Sequence, residues 1–158
     1  MAYIFDIDGT LADCSHRLHF ILPKREDLIG DIDLDKVAPD WESFYKDCVN
    51  DKPILPTLFL AKTLQDANED LIFVTGRPEK YMKETLDWLC NQFDTNSAIL
   101  LMRKNGDHRP DYIVKKEIYE EYIKGYFVID GVFEDRKQCV DMWLSLGLVC
   151  YQVADGNY

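Results

Sequence analysis

The stretch YIFDIDGTLAD, residues 3–13, ends a short apolar run in two aspartates one residue apart, Asp6 and Asp8, followed by Gly9, Thr10 and a third aspartate, Asp13. Two carboxylates side by side repel unless opposite charge offsets them, which a divalent cation and basic side chains do. One carboxylate can then act as a nucleophile while its neighbour moves protons. Oxygen donors suit Mg²⁺. The anion that such a site would attack is a phosphate, and Gly9 would let the backbone approach it closely. Three further segments carry a similar mixture: Thr75, Gly76 and Arg77; Arg103 with GDHRPDYIVK, residues 106–115; and GVFEDR, residues 131–136.

These groups work together only if the fold brings them to one place. Short apolar runs alternate with longer mixed segments along the chain, the pattern of an α/β fold. Strands are expected at Ala2–Asp6, Leu71–Thr75, Ile99–Met102, Tyr126–Ile129 and Leu148–Val153. Four are nearly all apolar, as in a parallel sheet covered on both faces; the mixed composition of the last suits an edge. Helical spacing of apolar residues predicts helices over Pro56–Ala67, Glu79–Phe93, Asp111–Ile123 and Arg136–Leu146. Pro110 fits the first turn of the third, and Gly147 fits a stop after the fourth. In such sheets ligands bind outside the carboxyl ends of the strands, which is where the polar segments fall. About residues 13–55 break the rhythm, with acidic GDIDLD (30–35) and a short helix near Trp41–Val49. A segment of that length over the end of a central strand reads as a flap or small cap.

The 158 residues suggest one domain, 1–158, and a hydrophobic fraction of 47% suffices for a core. No apolar run reaches the length of a membrane span and no signal-peptide pattern opens the chain. Five scattered cysteines without a CxxC pair read as reduced core thiols of a cytoplasmic protein. Acids outnumber bases 29 to 18, a net charge of −11, which disfavours a non-specific grip on long polyanions.

FDIDGTLA resembles the first motif of the haloacid dehalogenase (HAD) superfamily of phosphohydrolases; VTGR resembles the second, the lysine of DYIVK the third and FEDR the fourth. The four stand in the family's order. MRKNGDHRPDYIVKKEI, FEDRKQCVDMW and LVCYQVADGNY further resemble the 3′-phosphatase domain of bacteriophage polynucleotide kinases. No GxxxxGK[ST] phosphate loop of a kinase half occurs, so the expectation is a stand-alone phosphatase module. About residues 18–68 resemble that domain least.

The resemblance implies a three-layer Rossmann-like HAD fold with a mostly parallel central sheet. It makes Asp6 the nucleophile, Asp8 the general acid/base, Thr75 the binder of phosphoryl oxygens and Lys115 the neutraliser of phosphate and nucleophile. Mg²⁺ would be held by Asp6, the backbone carbonyl of Asp8 and Asp135. Glu134, which stands where the family usually has an aspartate, would support the metal's surroundings. Arg17, Arg77, Gly76 and Arg103 are expected at the substrate, with Asp111 orienting Lys115 or an arginine. Arg103 and Arg109 could equally pair with Asp107 or Asp111. Asp130 reads as a strand-end residue, structural or a ligand. His16 and His19 are expected to be satisfied polar residues of the flap. Trp41, Trp88 and Trp143 are read as core, with base stacking by Trp41 the alternative. The implied substrate is a 3′-phosphorylated nucleotide or polynucleotide end. The alternatives are a 5′-nucleotidase or broad small-metabolite phosphatase on the same machinery, and a non-catalytic binding domain of this fold. No membrane partner is expected, and the oligomeric state is left open.

Overall fold

The computed structural model describes residues 1–22, 38–95 and 98–156. Five strands form the main sheet: β1 (Ala2–Phe5), β4 (Asp70–Pro78), β5 (Ala98–Arg103), β6 (Ile129–Glu134) and β7 (Cys150–Gln152). Their order is β5-β4-β1-β6-β7 and every pairing is parallel. Phe5 is in register with Phe73 on one side and Phe133 on the other, so the C-terminal ends of β1, β4 and β6 open onto one edge.

Alternating side chains along each strand feed opposite faces. Ala2, Ile4, Ile72, Val74 and Val132 pack against α4 (Asp111–Ile118) and α5 (Lys137–Ser145), where Trp143 is buried. Phe5, Leu71, Phe73 and Phe133 pack on the opposite face against α2 (Leu55–Asp66) and α3 (Met82–Gln92), where Trp88 is buried. Helices on both faces explain why the strands read as continuous apolar runs, and they give the three layers expected.

Several boundaries differ from the sequence-based expectation, β4 running on to Pro78 and β7 shortened to Cys150–Gln152 among them, and two others matter more. The fourth main-sheet strand is β6, at Ile129–Glu134 and not at Tyr126–Ile129. Tyr126 and Val128 are 77% and 75% exposed, while Val132 and Phe133 are the residues packed between β1 and β7. Asp130 therefore lies near the start of β6, far from the edge where β1 ends, and the ligand alternative for it falls. The helix expected over Asp111–Ile123 is α-helical to Ile118 and widens into a π-turn over Tyr119–Ile123.

The described part of the flap crosses the carboxyl edge of the sheet. It comprises a 3₁₀ helix over Ser15–Phe20, α1 (Trp41–Lys46) and a second 3₁₀ turn over Asp47–Asn50. Two short antiparallel strands, β2 (Ala12–Asp13) and β3 (Lys52–Pro53), tie its ends together. The acidic GDIDLD segment lies outside the described residues. Among the described residues no helix is long and apolar enough to cross a membrane.

Candidate active site

β1 delivers Asp6 to the sheet edge, where its N–H donates to the Phe133 carbonyl at 3.0 Å. The chain then turns tightly. Gly9 takes φ 85°, a left-handed conformation that a side chain resists, and the Leu11 and Ala12 N–H groups return to the Ile7 carbonyl at 2.9 and 2.8 Å. This turn sends the side chains of Asp6 and Asp8 into two different charge clusters.

The first cluster is rich in acid. Lys115 Nζ lies 2.7 Å from Asp6 Oδ1, 2.8 Å from Glu134 Oε2 and 3.2 Å from Asp111 Oδ2. Asp111 opens α4 behind Pro110, and the four-residue spacing stacks Lys115 on the same helix face. Trp143 Nε1 donates to Glu134 Oε2 at 3.4 Å and the Arg136 N–H to Glu134 Oε1 at 3.3 Å. Burial pushes the Asp6 carboxyl up to about 8, against the pull of Lys115 and with the help of Glu134. Burial raises Glu134 as well. Lys115 goes the other way: burial opposes its charge, but Asp111, Asp6 and Glu134 hold its proton well above the ordinary range. Burial would also raise Asp111, yet Lys115, Arg136 and Arg103 keep it low.

Carboxylate oxygens of Asp6, Glu134 and Asp135, all buried, lie within 4.8 Å of one another. An oxygen-only donor set with more buried negative charge than Lys115 offsets fits a hard divalent cation such as Mg²⁺.

The second cluster is balanced. Asp8 accepts from Arg77 Nη2 at 2.5 Å, from Arg77 Nε at 3.0 Å, and from Arg17 Nη2. Behind it, Asp51 bridges both guanidiniums: Arg17 Nε and Nη2 at 2.7 and 2.8 Å, and Arg77 Nη2 at 3.0 Å. Arg17 also donates to the Phe44 carbonyl at 3.0 Å, with its guanidinium 4.2 Å from the centre of the Phe44 ring. Burial would raise the Asp8 pKa, but Arg77 and Arg17 outweigh it and hold the carboxyl well below the usual carboxylate range. Burial raises Asp51 in spite of the same arginines.

A cavity of about 610 Å³ opens above both carboxylates, with Asp6, Asp8, Thr75 and Gly76 in its wall. Four acidic and four basic side chains line it, in contrast to the −11 of the whole chain. The flap contributes Trp41, Phe44 and Tyr45 to the lining, the end of β5 contributes Arg103, and the segment after it contributes residues 106–111.

The structure brings Asp6, Asp8, Thr75, Gly76, Arg103, Asp111, Lys115, Glu134 and Asp135 to this one edge, and it places several of them differently from expectation. Arg17 and Arg77, expected at the substrate, are fully buried behind Asp8 and absent from the cavity lining, with their guanidiniums engaged by Asp8 and Asp51. Arg103 reaches the cavity but spans a structural junction: it donates to the Gly76 carbonyl at 2.7 Å and the Arg109 carbonyl at 2.6 Å, and pairs with Asp111 at 3.1 Å. Gly76 is there for close approach, since a Cβ on it would collide with the Asp111 carboxylate. The Thr75 hydroxyl accepts the Arg77 N–H at 3.2 Å. Arg109 pairs with Asp107 and Glu117 at 2.7 Å each. His16 Nε2 lies 3.0 Å from Asp51 Oδ1, and His19 Nδ1 lies 2.8 Å from the His16 carbonyl. Trp41 is not core: it is 48% exposed at the cavity. Sequence reasoning missed Asp51. Charge accounting could have found it, because two arginines assigned to one aspartate leave a positive charge that a buried site must balance.

Comparison with known proteins adds the following. The family model described as the polynucleotide kinase PNKP phosphatase domain matches residues 36–158. A protein named as a bifunctional polynucleotide kinase/RNA ligase, from Autographa californica nuclear polyhedrosis virus, is 31% identical over 123 residues; the match covers 75% of this chain and 18% of the viral protein. Two solved structures of the Pnkp1/Rnl/Hen1 complex, one titled as an RNA repair complex, contain a chain that superposes with TM-scores of 0.73 and 0.76 at 29% and 30% identity. They cover 99% of this chain and 43% and 47% of theirs, so this chain spans less than half the length of these relatives.

Proposed function

Because this chain belongs to the family of PNKP phosphatase domains and is a HAD-type phosphatase, we propose that it hydrolyses phosphomonoesters through an aspartyl-phosphate on Asp6, with the 3′-phosphate of a nucleotide or nucleic-acid end as substrate. One observation carries the reaction: a buried carboxylate held at one oxygen by Lys115 at 2.7 Å, in a three-carboxylate cluster, with a second carboxylate two residues on in the same cavity wall.

Lys115 fixes the orientation of Asp6 and offsets charge as the phosphoryl group approaches. An Asp6 oxygen forms a bond to phosphorus as the ester P–O bond breaks, and Asp8 gives its proton to the leaving alkoxide, which departs as an alcohol. Asp8, now ionised, takes a proton from water; that water bonds to phosphorus, the P–O bond to Asp6 breaks, and inorganic phosphate leaves. The arginines make Asp8 a strong acid, and the entering phosphate dianion restores proton affinity through like-charge repulsion. The Thr75 hydroxyl lies in the cavity wall at the end of the same sheet edge, in reach of the role of phosphoryl-oxygen binder. Asp6, Asp135 and the Asp8 backbone carbonyl would hold Mg²⁺, with Glu134 supporting them; when bound it would neutralise charge that gathers on the phosphoryl oxygens.

Relatives named for polynucleotide kinase, RNA ligase and RNA repair support a nucleic-acid end as the substrate. The even charge balance of the cavity lining permits an anionic end to enter an otherwise acidic protein. Steady-state phosphate release from 3′-phosphorylated against 5′-phosphorylated oligonucleotides and mononucleotides tests this. Preference for the 3′ series is the expected result. Preference for the 5′ series, or for sugar phosphates, would overturn the substrate and leave the reaction intact.

A further inference from the structure

α1 has the sequence WESFYK, and Asp40 caps it by accepting the Ser43 N–H at 3.0 Å. Its three aromatic residues do not share one fate. Phe44 is buried and carries Arg17 on its ring face. Tyr45 lies tilted against the buried Tyr81, with ring centres 5.1 Å apart, and shares the cavity wall with Asp8 and Arg103. Trp41 ends the row, lying near-parallel to Tyr45 at 5.8 Å and edge-on to Phe44 at 5.7 Å. The buried Phe44 and the half-buried Tyr45 thus fix the orientation of its ring, while it stays 48% exposed in the cavity wall. Trp88 and Trp143, by contrast, are enclosed in the core.

An indole stacked on Tyr45, held edge-on by Phe44 and half exposed in the wall of a cavity that also holds Asp6 and Asp8, is a platform for another flat ring. We infer that Trp41 is the nucleobase subsite of this cavity, stacking the base of the single nucleotide whose phosphate lies at Asp6 and Asp8; the inference rests on the phosphatase reading of that cavity. Its volume of about 610 Å³ falls in the range of about 300–1,000 Å³ typical of small-ligand sites, room for one terminal nucleotide. Charge favours the same conclusion. Proteins that hold nucleic acid through phosphate contacts are basic there, whereas this chain carries −11 and its cavity lining is balanced. Affinity for an end must then come from a contact that ignores the polyanion, and stacking does so for any base, because every base has a π face. Recognition is accordingly of a nucleotide end without readout of base edges, accepting any base but stronger for purines than for pyrimidines.

The test compares two 3′-phosphorylated oligonucleotides, one ending in adenosine and one in an abasic sugar. Loss of a single base stack costs roughly tenfold in affinity. Trp41→Ala should therefore lower the kcat/KM ratio of the adenosine end to the abasic end about tenfold, through KM, and Trp41→Phe should restore most of it. Adenosine 3′-monophosphate added in chelator, where turnover stops, should quench the tryptophan emission of the wild type and not that of Trp41→Ala. Equal losses on both ends, or no quench, would overturn the subsite. Quenching by a protein that releases phosphate from no ester would overturn the phosphatase reading and leave the subsite standing.

Discussion

Asp6 and Asp8 sit two residues apart at the end of one strand, yet the protein gives them opposite surroundings. Asp6 enters a buried group of Glu134, Asp135 and Asp111 in which Lys115 is the cation bonded to three of the carboxylates. Asp8 enters a group in which two arginines meet two aspartates. The first group is short of positive charge, so burial raises Asp6; the second is complete in itself, so its arginines lower Asp8 despite burial. The difference teaches how one short turn separates two roles. In the proposed reaction the unbalanced cluster is the one that gathers a cation and a phosphoryl group at Asp6. The balanced cluster holds Asp8, the proposed acid, in a fixed place without calling for a cation.

Substituting the two aspartates in turn is the hardest blow to that division. Asp6→Asn should remove turnover of every ester, on the order of 10⁴-fold or more, as loss of a nucleophile does elsewhere. Asp8→Asn should cost about 10²–10⁴-fold with a nucleoside leaving group that needs a proton. With p-nitrophenyl phosphate, whose leaving group does not need one, Asp8→Asn should still give a single-turnover burst of p-nitrophenol, followed by slow steady-state turnover as the aspartyl-phosphate waits for its water to be activated. A stopped-flow trace reads both phases. Absence of the burst would mean that the two carboxylates are not divided in this way.

The division was only half legible in the sequence. The acidic half is written locally: an apolar strand that stops at Asp6, an Asp111–Lys115 pair at helix spacing, and Glu134–Asp135 after another apolar run. Each signal spans a few residues. The basic half is not local. The family resemblance puts Arg17 and Arg77 at the substrate, and the partners that engage them are mostly distant, Asp51 being 34 residues beyond the first and Asp8 69 residues before the second. Nothing near either arginine says that its charge is already matched. The start of β6 was misread for a related reason: Tyr126–Ile129 is the more apolar tetrapeptide, but β6 is the segment that β1 and β7 can cover. Trp41 read as core because an indole usually is; its place on an exposed helix end depends on how the flap lies over the sheet.

Asp51 is where the balanced cluster can be broken without touching Asp6 or Asp8. It is buried and bridges both guanidiniums. Asp51→Asn leaves two buried arginines facing one carboxylate, and breaking a buried pair costs about 3–5 kcal/mol, seen as a lower Tm. It also leaves Asp8 under more net positive charge, which lowers its pKa further and leaves less of it protonated and able to donate. The kcat for nucleoside esters should fall further than the p-nitrophenol burst, and Asp51→Glu should recover part of that gap. If the variant is merely less stable, with both substrates slowed alike, Asp51 holds up the flap and does not tune the acid.

The smallest effect, and the one that compares the two clusters most directly, is the pH dependence of stability in chelator. Asp6 rises from an ordinary 3.8 to about 8 in the folded protein, so the fold keeps a proton that the unfolded chain gives up across that interval. Its contribution is complete below pH 3.8 and is lost as pH rises through about 8, with a slope of at most about 1.4 kcal/mol per pH unit. Asp8 has the opposite sign. Its lowered pKa stabilises the fold above the ordinary 3.8 and is lost only in stronger acid, which leaves it level between pH 5 and 8. The Tm of the wild type in chelator should therefore drop between pH 5 and pH 8, Asp6→Asn should flatten the drop, and Asp8→Asn should lower the whole curve while keeping the slope. Mg²⁺ competes with the proton for the same carboxylates, so it should raise Tm more at pH 8 than at pH 5. A slope that survives in Asp6→Asn and disappears in Asp8→Asn would reverse the assignment of the two clusters.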